Sequence, residues 1–345
     1  MLGIDSRTLK IAWTLFLLAL VLILLYQIRS IIIVFALALF LAHLLTPLVD
    51  LLVRLFAGKI HRTASLAIAY VIFIGVIVSL GILIGSTIVQ QASTLASKLP
   101  ATIQSNPLER IPLPSWLEGE RDTLNQSVDR GLQQLGASII PNLSQAARDI
   151  LSGLSGLLIV ILIPILSFLF LKTGRELRLH LLSFFSDSSR PLVDSILDDL
   201  HAMLSQYIRA LIFLCLATFC AYSSFLSLAR VSYPVLLAAF AATLEFIPVL
   251  GALIGAVTIV LVSLISGYGH PIVVIAFLAV YRVFQDYVLS PYLMSAGVEV
   301  PPLLVLFGLL AGEKLGGIPG MFFSVPVIAA LRTVLGRMRK STYVV

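Results

Sequence analysis

The fold of this chain is decided by residues 234–266, PVLLAAFAATLEFIPVLGALIGAVTIVLVSLIS. The stretch is almost continuously apolar, yet Pro248 and Gly251 interrupt it near its middle, and it holds the carboxylate of Glu245. A charge near the centre of a bilayer costs roughly 3 kcal/mol. Broken backbone at membrane depth persists only where protein buries it or where it lines a cavity. Both features together predict a passage or a binding site within a membrane.

The composition of the whole chain supports a membrane location. Of its 345 residues, 59% are hydrophobic and only 12% are charged, and the mean hydropathy is +1.06. Ordinary soluble domains carry about 25% charged residues. We therefore expect an all-α polytopic membrane protein. Its net charge of +6 is explained better by Lys and Arg in cytoplasmic loops than by binding to nucleic acid.

Apolar runs of about 20 residues predict about eight transmembrane segments, two of them broken by Pro and Gly or re-entrant. The six continuous runs are 10–28, 30–48, 64–89, 151–171, 208–229 and 271–290. The two broken segments are 234–266 and 302–335. The sequence leaves open two alternatives, namely eight spans, or six spans with re-entrant hairpins at 234–266 and 302–331.

The distribution of charge predicts the orientation and the domain organisation. Basic clusters flank alternate spans, which places both termini in the cytoplasm of a multi-pass protein of the cell (inner or plasma) membrane. The expected order is N-terminal transmembrane spans (1–90), an extracytoplasmic helical insert (91–150), a span (151–171), a cytoplasmic amphipathic helical segment (172–207), a C-terminal transmembrane bundle with broken helices (208–335) and a cytoplasmic tail (336–345).

The amphipathic helix expected at 189–209 has an acidic polar face, whereas helices that lie on a membrane surface are usually rich in Lys and Arg. It is therefore expected to pack against another helix or a neighbouring subunit.

Glu245 lies three residues before Pro248. Proline donates no backbone hydrogen bond and disrupts the preceding turn, so carbonyls beside the carboxylate need partners. Unwound carbonyls next to a carboxylate suit a cation or proton site, as in transporters with broken helices. The alternative is a proline kink with Glu245 hydrated at the bilayer interface.

A second polar group is formed by Arg282, Gln285 and Asp286 in an otherwise apolar run. Arg282 and Asp286 are four residues apart, so they can pair on one helical face, and pairing lowers the cost of burying both charges. The three side chains are therefore further candidates for a role in transport or ion coupling. The alternative is a static ion pair that fixes helix packing or lies near the membrane interface.

The third element is the glycine-rich run 308–320, with further breaks or gating positions expected on both sides of it. Small residues at four-residue spacing let backbones approach closely. Glu313 is an ion-coupling candidate, although a solvated hairpin tip explains it slightly better. The positions expected to break helices or act in gating are Pro248, Gly251, Pro291, Gly312, Gly316, Gly317, Pro319, Gly320 and Pro326.

Other chemistries lack a signal in the sequence. Cys215 and Cys220 are five residues apart and do not share a helical face, the five histidines show no ligand spacing, and there is no phosphate-binding G-x-x-x-x-G-K-[ST] loop. We expect no metal site, no cofactor and no catalytic residues, and therefore not an enzyme.

Three motifs resemble the AI-2E (autoinducer-2 exporter, or PerM-like) family of transporters. They are E-F-I-P-V-L-G (245–251), R-V-F-Q-D-Y-V-L-S-P (282–291) and P-P-L-L-V-L-F-G-L-L-A-G-E-K-L-G-G-I-P-G-M-F-F-S-V-P (301–326). The resemblance is specific over about 200–335 and looser before it. It implies an inner-membrane transporter of about eight spans, assembled as a homo-oligomer, with a pentamer suggested.

Carried over by position, the resemblance marks particular residues of this chain. Its helix break matches Pro248 and Gly251, its polar span ending in proline matches Gln285 and Pro291, and its closing pattern matches Gly316, Gly320 and Pro326. One departure is Tyr292, where the family often has Lys. If that Lys helps to hold an anionic or polyol substrate, the substrate here differs.

The sequence predicts secondary transport or export of a small solute, driven by ion coupling. The family resemblance implies an autoinducer-2-like signal molecule or a related polar compound as the solute, and it also suggests cation/proton antiport. Within transport, the alternative is a Na⁺(Li⁺)/H⁺ antiporter without an organic substrate. An alternative of another class is a membrane scaffold that binds a partner through 91–150 or 189–209. The expected partners are the lipid bilayer, a small-molecule or cation substrate and further copies of the chain.

Overall fold

The computed structural model describes residues 6–56, 61–103, 126, 154–294 and 301–342, and every regular element in this part of the chain is helical. The all-α prediction is therefore confirmed. The helices are α1 (Ser6–Gln27), α2 (Arg29–Leu55), α3 (Arg62–Ile103), α4 (Leu154–Ser183), α5 (Arg190–Leu228), α6 (Pro234–Leu244), α7 (Leu250–Ile265), α8 (Pro271–Phe284), α9 (Ser290–Met294) and α10 (Pro302–Thr342), with a π-helical turn at Gln285–Leu289.

Within the described residues, six helices are long and apolar enough to cross a membrane. The membrane-spanning candidates are Lys10–Gln27, Arg29–Leu55, Arg62–Lys98, Arg190–Leu228, Pro271–Leu293 and Pro302–Arg339. Helix α4, with 30 residues, also exceeds the roughly 20 residues that a crossing requires. The chain is thus a polytopic membrane protein.

Helices α6 and α7 form an antiparallel hairpin. A Cβ atom on Gly251 would collide with the carbonyl of Leu244, and one on Gly255 would press against Ala241, so successive turns of α7 meet successively earlier turns of α6. With 11 and 16 residues, the arms measure about 16 and 24 Å, less than the roughly 30 Å hydrocarbon core. This geometry favours the re-entrant alternative for 234–266.

Helix α10 also folds back on itself. Gly317 has φ 61° and ψ −141°, which separates two helical arms. Gly312 meets Gly320, and Gly308 meets Ser324 and Ile328 across the hairpin. The absence of a side chain at these positions lets the two backbones touch, as the glycine spacing predicted.

Helix α5 joins the predicted amphipathic segment to the next span without interruption. Its 39 residues measure about 58 Å, nearly twice the thickness of the hydrocarbon core. Its first half carries Asp194, Asp198 and Asp199, so we take that half to lie outside the membrane and residues from about 208 onward to lie within it.

Ion pairs fasten the N-terminal half of α5 to other helices. The guanidinium of Arg178 on α4 contacts the carboxylates of Asp194 and Asp198. Arg337 on α10 donates two hydrogen bonds to Asp199, at 2.6 and 2.9 Å. These contacts agree with the expectation that the amphipathic helix packs against other helices.

Helix α3 continues through Pro100 to Ile103, so the start of the predicted insert (91–150) extends the third span as one helix. The rest of that insert, apart from residue 126, lies outside the described residues, as do 151–153 and the last three residues of the predicted tail. In the N-terminal half, the Tyr70 hydroxyl donates a 2.6 Å hydrogen bond to the buried Ser167 hydroxyl and links α3 to α4.

Candidate functional site

Glu245 lies where the α6–α7 hairpin turns. It is the residue directly after α6, and the chain leaves helical geometry there before α7 begins at Leu250. Val249 has a φ of +64°, a conformation that β-branched residues rarely adopt. The hairpin tip thus holds a partly buried carboxylate beside strained backbone, and such strain often accompanies function.

Two buried side chains from other helices hydrogen-bond to Glu245. The Gln285 amide donates from Nε2 to Oε2 of Glu245 at 2.8 Å, and the Thr218 hydroxyl on α5 contacts Oε1 at 3.3 Å. Thr218 also lies 3.0 Å from the Tyr281 hydroxyl. Thr218, Gln285 and Tyr281 are 0%, 3% and 7% exposed. We call these four residues the Glu245 network.

Gln285 lies at the start of the π-helical turn Gln285–Leu289, and Pro291 follows shortly after. Because proline cannot donate to the carbonyl one turn before it, the wider turn adjoins a point where regular helical bonding is interrupted. π-Helical turns recur at functional sites.

The side-chain oxygen of Gln285, Oε1, has no hydrogen-bond partner although it is buried. Buried polar groups without a partner are rare and call for an explanation. Here an unsatisfied acceptor lies on the same amide that donates to Glu245, so the site has capacity to accept a hydrogen bond or to ligate a cation.

Aromatic rings border the Glu245 network. The rings of Tyr222 on α5 and Tyr281 on α8 pack edge to face with centroids 5.0 Å apart, and Phe277 contacts both rings. Tyr222 is also largely buried. This apolar wall lowers the local dielectric, which strengthens electrostatic interactions within the network.

The structure brings Gln285 to Glu245 but leaves the predicted Arg282–Asp286 pair on a different face. Nε of Arg282 lies 2.9 Å from Oδ2 of Asp286, and their side chains are 40% and 45% exposed. Neither side chain hydrogen-bonds to Glu245, whose partners among the described residues are Gln285 and Thr218. Gln285 is buried while its neighbour Asp286 is half exposed, so the two residues lie on different faces of the segment.

Glu313 has a different neighbourhood. Its carboxylate lies 3.3 Å from the exposed ammonium group of Lys314, close to the turn at Gly317. This agrees with the hairpin-tip alternative, and Glu313 serves below as a control residue.

The expected break and gating positions occupy the two hairpins and helix α9, which follows the π-helical turn. Pro248 and Gly251 lie in the α6–α7 tip, and Pro291 lies in α9. Gly312 and Gly320 touch across the α10 hairpin, and Gly316 packs against Ile33 of α2. Pro319 and Pro326 lie in its second arm.

Thr218 and Tyr281 were missed as site residues by the sequence analysis. A hydroxyl in an apolar helix usually bonds to its own helix four residues back, as Thr243 does. Thr218 instead bonds across helices, and no spacing along the chain announces that difference. Tyr281 adjoins the polar group 282–286, so its position was the only available signal.

The chemistry that the network permits follows from its atoms. Glu245 can exchange a proton, and its carboxylate together with the Gln285 carbonyl provides oxygen ligands, which hard cations prefer. Among the described residues, no group of three or more His, Cys, Asp and Glu side chains could hold a transition metal. The arrangement therefore suits a proton, an alkali cation or a hydroxyl group of a solute.

Comparisons with known proteins point to transport. The family model described as "AI-2E family transporter" matches residues 15–340. The Bacillus subtilis (strain 168) protein named "Putative transport protein YrrI" is 24% identical over 312 residues, 89% of this chain and 86% of the relative. The protein named "Putative transport protein YueF" from the same organism is 25% identical, over 81% of this chain and 78% of the relative. "Putative transport protein MT0215" of Mycobacterium tuberculosis (strain CDC 1551 / Oshkosh) is 27% identical, over 87% and 82%.

Proposed function

Because this chain belongs to the AI-2E family of transporters, we propose that it moves a small polar solute across the membrane by coupling to an ion that binds at Glu245. The solute class is an autoinducer-2-like signal molecule or a related polar compound, as the motif resemblance suggests. The observation that carries the proposal is the Glu245 network, a carboxylate at a hairpin tip that meets buried polar groups from two other helices.

The mechanism follows from the cost of a buried charge. An uncompensated carboxylate at membrane depth is expensive, whereas a protonated or cation-bound Glu245 is close to neutral. Ion binding would therefore stabilise the packed arrangement of the hairpin against α5 and α8, and ion release would loosen it. Because Gln285 and Thr218 come from different helices, occupancy of one carboxylate can alter the contact of both helices with the hairpin.

Coupling requires this local event to expose the site to alternate sides of the membrane. Motion of one group of helices past another about a fixed site is the common arrangement in secondary transporters. The hairpins α6–α7 and α10 are the proposed moving parts, since glycine contacts between the two arms of each hairpin hold it together as one unit. We also propose a homo-oligomer in the cell membrane with both termini in the cytoplasm.

The second candidate function is Na⁺(Li⁺)/H⁺ antiport without an organic solute. It is supported by the unpartnered side-chain Oε1 of Gln285 beside Glu245. This oxygen and the Glu245 carboxylate together suit an alkali cation, because hard cations prefer oxygen ligands. The two functions differ in what crosses the membrane, so one reconstituted preparation can distinguish them.

The test uses purified full-length protein in proteoliposomes. Internal pH is followed with a trapped dye under Na⁺ or Li⁺ gradients, and uptake of an autoinducer-2-like polyol is measured by mass spectrometry. We expect Glu245→Gln to lower flux at least about tenfold, because it removes the titratable group, and Glu313→Gln to leave flux close to wild type. Cation-dependent proton flux without polyol movement would favour antiport. Wild-type flux in Glu245→Gln liposomes would overturn the proposed role of Glu245.

A further inference from the structure

A partly open cavity between α2 and α5, with several polar side chains in its lining, plays no part in the Glu245 network. Its volume is about 560 Å³, within the range of ligand sites. Its polar lining includes Thr46, Asp50 and Arg54 from α2 and Ser205, Gln206 and Arg209 from α5. The cavity thus lies near the middle of α5, where its charged N-terminal half meets its apolar C-terminal half.

Two guanidinium groups dominate the charge of this cavity. No ion pair joins Arg54 or Arg209 to a carboxylate of the described residues. Nε of Arg209 donates a 3.1 Å hydrogen bond to the Ser205 carbonyl, which leaves its terminal nitrogens available. Two such forks match the geometry of phosphate oxygens.

Further donors adjoin the two arginines. The Ser205 hydroxyl is buried and has no hydrogen-bond partner, although a helical serine can usually bond to its own helix. The Gln206 amide and the His201 ring also line the cavity. His201 Nδ1 lies 3.1 Å from Nε2 of the buried His43. Since the Leu39 carbonyl can only accept, His43 Nδ1 donates to it, and Nε2 of neutral His43 accepts a hydrogen bond from Nδ1–H of His201. Nε2 of neutral His201 is then an acceptor, which suits a hydroxyl group of a ligand.

Asp50 determines what kind of anion fits. Its carboxylate lines the same cavity and repels a fully deprotonated anion, but it can accept hydrogen bonds from hydroxyl groups, including the hydroxyl of a protonated phosphate. A ligand with one phosphate group and neighbouring hydroxyls satisfies both the arginines and Asp50. Basic pockets between membrane helices are known sites for phospholipid head groups.

We propose that the α2–α5 cavity is a binding site for a phosphate group, presented either by a glycerol-bearing anionic phospholipid or by free phosphate. The phosphate oxygens accept hydrogen bonds from Arg54 and Arg209, and Ser205 and Gln206 supply further donors. The head-group hydroxyls of a lipid lie toward Asp50. The site shares no residue with the Glu245 network, so the test of phosphate binding does not depend on the outcome of the transport experiment.

The first experiment is native mass spectrometry of the full-length protein with added phosphatidylglycerol or phosphatidylcholine. We expect wild type to retain phosphatidylglycerol preferentially and the double variant Arg54→Gln/Arg209→Gln to lose at least about tenfold in retention, the effect of removing charge-assisted hydrogen bonds. The matched control Arg62→Gln/Arg175→Gln removes the same charge from exposed arginines outside the cavity and should retain the lipid as wild type does.

A second arm separates the two sources of phosphate. Delipidated protein is melted in detergent with inorganic phosphate or with chloride at equal ionic strength. A rise in Tm with phosphate in wild type that is lost in the double variant identifies free phosphate as a ligand. Lipid retention without this rise identifies the phospholipid. Failure of wild type in both arms, or equal behaviour of wild type and the double variant, would overturn the proposal.

Gln206→Glu provides an independent check should the double variant fold poorly. It adds a negative charge to the cavity wall with almost no change in side-chain size, so it should also weaken lipid or phosphate binding at least about tenfold. Undiminished binding by a well-folded Gln206→Glu protein would contradict the assignment.

Discussion

Thr218 is completely buried in α5 and contacts both Glu245 and Tyr281. One hydroxyl can donate one hydrogen bond and accept others, so Thr218 can donate to the carboxylate while it accepts from the tyrosine. This small residue therefore connects α5 and α8 to the hairpin tip, and it orients the group on which the proposed ion coupling depends.

Replacement of Thr218 by Val should lower ion-coupled flux about three- to tenfold. The change removes one hydrogen bond, 3.3 Å long and worth about 0.5–1.5 kcal/mol net, while it nearly conserves side-chain volume. The measurement is flux in proteoliposomes at several pH values. Thr243→Val is the matched control, because the exposed Thr243 hydroxyl bonds only to the Ala239 carbonyl of its own helix. Equal flux in the two variants would contradict a role for Thr218.

At the scale of secondary-structure elements, glycine contacts hold the α6–α7 hairpin closed. The backbone of Gly251 lies against the carbonyl of Leu244, and Gly255 lies against Ala241. A third helix, α3, supports the hairpin at its other end. There the side-chain Oε1 of Gln91 accepts a 2.9 Å hydrogen bond from the Leu236 backbone N–H. First-turn N–H groups lack a partner within their own helix, so this contact fixes where α6 begins.

Gly251→Ala should destabilise the protein by about 1–3 kcal/mol, the usual cost of an added methyl group in a tightly packed site. A fall in Tm in detergent measures the effect. Gly81→Ala is the control, since nothing lies within 4 Å of the position that its Cβ would take, and alanine favours a helix over glycine. If both substitutions leave Tm unchanged, the close contact in the hairpin is wrong.

At the scale of the whole molecule, α5 links two sets of charges. Thr218 is 19 residues beyond Asp199 on the same helix, a distance of about 29 Å. One end of α5 contacts the Glu245 network, and the other pairs with Arg178 on α4 and Arg337 on α10. One continuous helix thus contacts both the hairpin tip and the ion pairs near its N-terminus.

Asp198 gives the ion pair between α5 and Arg178 a defined pH dependence. Its hydrogen bond with Arg178 lowers the Asp198 pKa below its ordinary value of 3.8, and the same contact raises the Arg178 pKa. The folded protein thus holds fewer protons on Asp198 than the unfolded chain near that pH. The stabilisation is complete above the unfolded pKa and is lost as pH falls through the folded pKa.

We therefore expect Asp198→Asn to lower Tm at pH 7, with the difference from wild type shrinking as the pH falls below about 4. High salt should narrow the difference at pH 7, because the pair is exposed and screened. Asp187→Asn is the control: Asp187 is highly exposed and pairs with the nearby Arg190, so its effect should be small at every pH. A difference that stays constant down to pH 3 would contradict this account.

The sequence by itself determined the fold class and the position of the helix breaks. A chain with this excess of apolar residues cannot bury them in a water-soluble fold. Proline and glycine limit the local backbone geometry wherever the helix is placed. Pro248 and Gly251 thus predicted the α6–α7 turn, and the glycines from Gly308 to Gly320 predicted the close backbones of α10. The carboxylate of Glu245 was identifiable because its cost at membrane depth demands a reason.

Only the tertiary structure decided which polar groups meet. Arg282, Gln285 and Asp286 lie close together along the chain, yet packing turns Gln285 toward Glu245 and leaves the ion pair half exposed. Thr218 reaches the same carboxylate from 27 residues away, and the α2–α5 cavity draws Arg54 and Arg209 together across a far greater separation in the chain. Helical periodicity fixes the relative directions of neighbours within one helix. Partners between helices depend on how whole helices pack, which no local pattern encodes.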